Sequence, residues 1–287
     1  MIHLTPELVF SLSLAILALA VLPLVHIAFR RHRRQQLARH QHQLALLRHL
    51  IAGLQKHRGL SQGVLNGDPS LATELQHTRH QLDQCFGATR GLDTDHGDRW
   101  EALLNHWSRL RARQTRDADD NLRQHHQLIR NSLMLLEDVA TAMDLTLGRP
   151  ELSYLPRIWH EVMQAAEWSG QARALGTGMA ATGASTPAQR VRLRFLHGKI
   201  EMLTWTAMKS LREHEAAQTE HPLSDALSRV DPAVSNLLNC IESRLLQTEQ
   251  PALDARQYFH LATRAVDELL GLVDAALAHL ETTAARP

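Results

Sequence analysis

Two cysteines in 287 residues, Cys85 and Cys240, lie far apart and in no CxxC spacing, which argues against a disulfide scaffold or a thiolate metal cluster. Aromatic residues make up 4% of the chain, with 10 prolines and 14 glycines. That shortage, beside abundant Leu, Ala, Arg, Gln and His, points to helices. Charge of one sign is also missing: 31 lysines and arginines stand against 30 aspartates and glutamates, a formal net charge of +1. No global field favours nucleic acid. Nor is there an HExxH, a P-loop, a glycine-rich nucleotide fingerprint, a nucleophile elbow, or a credible Ser/His/Asp or Cys/His arrangement. The chain is expected not to be an enzyme and to carry no cofactor.

One long apolar run is present. LVFSLSLAILALAVLPLVHIAF, residues 8–29, has 22 residues and no charge, and about 20 such residues cross a hydrocarbon core of about 30 Å. It predicts one N-terminal transmembrane helix within a segment 1–29. No basic n-region or small-residue cleavage site marks it for removal. Arg30, Arg31, Arg33, Arg34 and Arg39 follow the run, and no lysine or arginine precedes it. The positive-inside rule then predicts a single-pass protein of a bacterial inner membrane, its C-terminal part in the cytoplasm and its basic segment 30–39 near anionic lipid.

From Gln35 onward apolar residues recur at helical spacing and breakers are clustered. Eight helices are predicted, over 35–66, 69–88, 98–115, 118–147, 152–183, 186–217, 222–249 and 254–283. Asp68 before Pro69 and Thr186 before Pro187 read as caps, and Asp231-Pro232 as a kink or split in the seventh helix. Short loops make successive helices antiparallel neighbours. The fold class is therefore all-α: one transmembrane helix, then a domain over 40–283 built as two up-and-down four-helix bundles, about 40–147 and 152–283.

Each half carries an arginine where an apolar residue belongs. Leu44, Leu47, Ile51, Leu54, Arg58, Ser61 and Leu65 follow a strict 3,4 spacing, as do Trp159, Val162, Ala166, Ser169, Arg173, Gly176 and Ala180. Aligning Arg58 on Arg173 also matches RGLSQGVL with RALGTGMA, a weak internal repeat. A buried guanidinium without a counter-charge costs several kcal/mol. Something anionic must meet each one. One candidate is a structural carboxylate, from Asp83, Asp144, Glu161 or Glu167; the other is a small bound anion. Gly59, Gly63, Gly170, Gly176 and Gly178 open room beside the arginines, and each interior glycine costs about 1 kcal/mol against alanine. Ser61, Gln62, Gln171 and Thr177 would add neutral hydrogen bonds to a planar oxyanion held by the guanidinium forks.

LQKHRGLSQGVL, from Leu54, resembles the LQKERGLSAGYL-type signature of the nitrate- and nitrite-sensing (NIT) domain family, and AEWSGQARALGTGMA is similar to that family's second arginine-bearing helix. The resemblance spans roughly residues 40–280, with specific motifs over about 25 of them. It implies an all-helical sensor that holds nitrate or nitrite between arginines of facing helices. By matching position these are Arg58 and Arg173, with His57 standing where the family usually has Glu or Arg. The expected partners are the inorganic anion, a second copy of the chain and a separate output protein contacted by helix surface. A helical scaffold without ligand is the alternative. Of the 19 histidines, the neighbouring pairs His40 and His42, His77 and His80, and His125 and His126 are expected on solvated faces rather than in a metal site.

Overall fold

The computed structural model describes residues 6–92, 94–112, 117–143, 150–216 and 222–285, with side chains from residue 19 onward apart from 20, 284 and 285. Eight helical rods, and no strand, stand among the described residues. They are α1 (Pro6–Leu65), α2 (Ala72–Ala88, entered through the 3-10 turn Pro69–Leu71), α3 (Gly97–Ala112) and α4 (Ala118–Ala142). In the second half α5 runs over 155–182, opening as Leu155–Arg157, passing through the π turn Ile158–Val162 and continuing as Met163–Thr182. Then come α6 (Pro187–Ala216), α7 (Ser224–Cys240, prolonged by π-helical Ile241–Leu246) and α8 (Ala255–Ala285). The predicted eight helices are present.

The caps follow from local chemistry. Gly67, at φ 102°, turns the chain out of α1 in a conformation that costs glycine nothing, and the Asp68 carboxylate then accepts the Ser70 amide at 2.9 Å. At the start of α6 the Gln189 amide donates to Thr186 Oγ1 at 3.2 Å while the Thr186 amide donates to Gln189 Oε1 at 2.8 Å, a reciprocal capping box. Gly183, at φ 62°, ends α5 in the left-handed region. The expected split at Asp231-Pro232 does not occur: α7 runs through Pro232. Pro232 and Ser228, whose carbonyl the proline frees, both lie on the exposed face, open to solvent. Helical geometry loosens only nine residues later, at the π segment from Ile241.

The expected membrane span and the inner-membrane localisation drawn from it are corrected here. Among the described residues no helix is long and apolar enough to cross a membrane. The described side chains of the apolar run begin at Leu19 and would rise roughly 16 Å before the first arginine, about half of what a span requires. Residues 8–18 of the run lie outside the described side chains. No helix boundary separates the run from the basic segment: Arg30 to Arg39 belong to the same 60-residue α1 that goes on into the core.

α1 is the central rod, packing on α2, α4, α5 and α8. Within the first half α3 packs on α4, and within the second α5 packs on α6 and α8, and α7 on α6 and α8. Leu44, Leu47, Ile51 and Leu54 are fully buried, as are Val162, Ala166 and Ser169 on α5. Each leucine-sized side chain so buried contributes about 1.5–3 kcal/mol. A single apolar cluster runs from Leu44 through Leu280, so the seams of α1 and α5 meet in a shared core. Both seams lead to an arginine.

Candidate functional site

Arg58 is 0% and Arg173 1% exposed, so each guanidinium has left water and must find its partners inside the protein. Arg58 has found a carboxylate. Its Nη1 donates to Glu167 Oε1 at 2.7 Å and its Nη2 to Oε2 at 3.1 Å, a two-pronged pair between α1 and α5. Gln55 Nε2 and Gln171 Nε2 each donate to the same carboxylate at 2.9 Å. Burial alone would raise the Glu167 pKa, but the charge and hydrogen bonds of Arg58, with the Gln171 bond, bring it below the ordinary carboxylate value. Of the carboxylates the sequence offered, Glu167 takes this role. Asp83 instead accepts from Trp107 and pairs with Arg111, Glu161 pairs with Arg157, and Asp144 lies outside the described residues.

Arg173 has no such partner. Its Nη1 donates to Thr263 Oγ1 of α8 at 2.9 Å, and its guanidinium carbon sits 5.1 Å from the centre of the Phe259 ring. Nε and Nη2 are buried without an acceptor, and among the described residues no carboxylate lies within ion-pair distance. Burial first, then the charge of Arg58, lower its pKa to about 10, so it stays a cation at neutral pH. Arg173 lines a cavity of about 270 Å³ between α1, α2 and α8, together with Arg48, His49, Lys56 and Asp267. Arg48 and Lys56 are already paired, with Asp274 and Glu74.

The glycines explain how two large cations fit between packed helices. An added Cβ on Gly170 of α5 would lie 2.9 Å from Arg58 Nη2, and one on Gly59 of α1 would lie 3.3 Å from Arg173 Nε and 2.8 Å from the Phe259 ring. Each helix leaves a gap for the arginine of the other. Gly176 serves a different neighbour: its missing Cβ is replaced by the ring of Tyr258, at 2.4 Å, whose hydroxyl donates to the Ala172 carbonyl at 2.9 Å. Gly176→Ala is expected to destabilise the protein by about 2–3 kcal/mol through overpacking of a fully buried ring, measurable by urea unfolding.

The structure does not gather the expected neutral ligands around one point. Ser61 Oγ donates to the Arg58 carbonyl and accepts from Asn121 Nδ2 at 2.9 Å; Gln62 faces the same asparagine. Thr177 bonds back to the Arg173 carbonyl at 2.7 Å. Gln171 joins Glu167 to Arg192, whose Nη2 donates to Gln171 Oε1 at 2.7 Å. Thr263 and Phe259, which do touch Arg173, carry no sequence signal, because they come from a helix whose phase relative to α5 is set only by packing.

His57 turns away from the arginine pair. Its Nδ1 lies 2.8 Å from Nε2 of His125, whose Nδ1 lies 2.8 Å from the Asn121 carbonyl, and its ring stands edge-on to Trp107. His125 is therefore buried rather than solvated as expected, because α4 packs its histidine against α1. The chain of bonds is satisfied with both rings neutral and protonated on Nδ1. Burial, then Arg79, lower His57 to about 4, and burial lowers His125 as well. In each the folded-state pKa is depressed, so below the unfolded value of 6.5 the unfolded chain takes up protons that the folded one refuses. Stability is thus full above pH 6.5 and is expected to fall by about 3 kcal/mol for His57 alone as pH drops from 6.5 to about 4. Unfolding measured across that window should show this slope, reduced by about one proton in His125→Gln.

A family model described as nitrate and nitrite sensing matches residues 49–281. The solved structure of the NasR transcription antiterminator shares the fold, with a TM-score of 0.62 at 19% identity, over 92% of this chain and 74% of that one. No curated protein matches by sequence.

Proposed function

The chain belongs to the family of nitrate- and nitrite-sensing domains, and from that premise we propose that it is a sensory module that takes up nitrate or nitrite at Arg173, in the cavity between α1, α2 and α8. One observation carries the reading: Arg173 is a fully buried cation with two donor nitrogens unfilled and no carboxylate within ion-pair distance among the described residues, whereas Arg58 is held through both Nη atoms by Glu167 and lacks a partner only at Nε. A planar oxyanion supplies both the missing charge and two acceptors. Arg58 then acts as the second cation of the pair, with Glu167 as its resident counter-ion. Binding cancels the repulsion between the two guanidinium groups and favours the packing of α1 on α5 that brings them together, so the ligand shifts a conformational balance by its differential affinity. The state reaches a separate output protein through helix surfaces.

A ligand-free scaffold is the second reading, and the Arg58–Glu167 pair favours it, since a purely structural arginine is expected to sit on a protein carboxylate. Arg173 does not. Thermal unfolding of the full chain in nitrate, nitrite, sulfate, chloride and acetate at one ionic strength tests between them. Nitrate or nitrite at about a hundred times its dissociation constant should raise the melting temperature by about 5 °C. Equal shifts in every salt would mean screening alone and would leave the scaffold standing.

A further inference from the structure

Helix α6 carries two seams. The first, Leu193, Leu196, Ile200, Ala207, Met208 and Leu211, is buried against its neighbours. The second, on the opposite side, is Val191, Phe195, Gly198, Met202 and Trp205, again at 4,3 spacing, and it faces solvent: Val191 is 68%, Phe195 44%, Met202 49% and Trp205 65% exposed. Trp205 departs here from the other tryptophans, which are buried or half-buried. Scattered exposed apolar residues need no explanation, but a row of them at heptad spacing does.

Gly198 stands at the middle of the row. A Cβ placed on it would meet nothing within 4 Å, so no contact within the chain accounts for a glycine that costs about 1 kcal/mol in a helix interior. A flat spot at the centre of an apolar row is what a second helix needs to come close.

We infer that this face binds a second copy of the chain, α6 against α6, antiparallel about a two-fold axis at Gly198. The register is self-complementary. With Gly198 on the axis, Phe195 falls opposite Met202 of the partner subunit and Val191 opposite Trp205 of the partner subunit, so large side chains meet smaller ones at each step. Charge selects the same arrangement. Arg194 and Glu201 lie one heptad apart on one flank of the row, both exposed, and neither makes an ion pair among the described residues. An antiparallel pairing sets Arg194 against Glu201 of the partner subunit, twice by symmetry, whereas a parallel one sets Arg194 beside Lys199 of the partner subunit. On the other flank the cations are drawn back over a ring, Arg192 at 5.2 Å and Lys199 at 5.8 Å from the centre of Phe195, and Lys209, the next position of the row, lies 5.3 Å from the centre of Trp205. The inference is independent of the anion reading, since none of these residues lines the Arg173 cavity.

Sedimentation equilibrium of the full chain tests it, with Arg194→Glu, Glu201→Arg and the two combined. The wild-type chain should dimerise, each single reversal should weaken the dimer about tenfold by setting like charges together twice, and the double reversal should restore it. In a chain with Cys85→Ser and Cys240→Ser, Gly198→Cys should be joined into a covalent dimer by a short bis-maleimide. A chain that stays monomeric up to about 100 µM would overturn the inference. So would a dimer indifferent to all three charge variants, or one that the double reversal weakens further than either single change. Trp205 fluorescence that shifts only when anionic phosphatidylserine vesicles are added would assign the face to a lipid surface instead.

Discussion

Replacing Arg173 with methionine will abolish the nitrate-dependent rise in melting temperature and leave the unliganded protein more stable by about 1–2 kcal/mol. The two effects have one cause. In the wild-type chain two buried donor nitrogens of Arg173, Nε and Nη2, lack acceptors, at about 1–3 kcal/mol each. Set against that are one hydrogen bond to Thr263 and a cation over Phe259, together worth about 2 kcal/mol. Methionine keeps the apolar stem and removes the debt, but it offers an anion nothing. A binding site is the usual place for a group held at a cost to the fold. Urea unfolding and thermal shifts with and without nitrate measure both effects. A variant that is destabilised by several kcal/mol, yet still responds to nitrate as the wild type does, would remove Arg173 from the site.

Glu167→Ala is expected to cost about 3–5 kcal/mol, the largest loss of any single substitution considered, because it leaves Arg58 charged and unpaired in the core and strips an acceptor from Gln55 and Gln171. Nitrate should recover part of that loss, since the vacated space then presents a second orphaned guanidinium to an anion. Removing both members together, as Arg58→Met with Glu167→Leu, should fall within about 1 kcal/mol of the wild type, since apolar replacement of a whole buried pair is often neutral. The coupling between the two sites is the decisive quantity. A loss below about 1 kcal/mol for Glu167→Ala, or losses that simply add in the double variant, would show that the pair is not the closed electrostatic unit its geometry describes.

The helices and their phases were legible because they rest on neighbours close in sequence. The 3,4 spacing that buries Leu44, Leu47, Ile51 and Leu54 is a property of one turn and the next, and so is the Thr186–Gln189 cap. The same local reading fails where a side chain's fate depends on another rod. His125 looks like one polar residue among several on α4, and only the packing of α4 on α1 shows that it is sealed against His57. The apolar run 8–29 invites a membrane, yet no helix among the described residues has the length and hydropathy of a span. Asp231-Pro232 reads as a kink or split, and α7 is not split there because Pro232 lies on its exposed face.

Taken alone, the order of residues determined that this chain is all-helical, that Arg58 and Arg173 point inward, and which motif family they belong to, since periodicity and short motifs are local. Tertiary structure decided which arginine is neutralised. Glu167 stands 109 residues from Arg58, one of several carboxylates within the same stretch of sequence, and no spacing rule singles it out. Its choice depends on how α1 and α5 lie against each other, on Gly170 leaving room for a guanidinium, and on Arg173 emerging one and a half turns further along, past the reach of that carboxylate. Ion pairing in a low-dielectric core is settled by distances of a few ångströms between distant segments, and those distances exist only after the chain has folded.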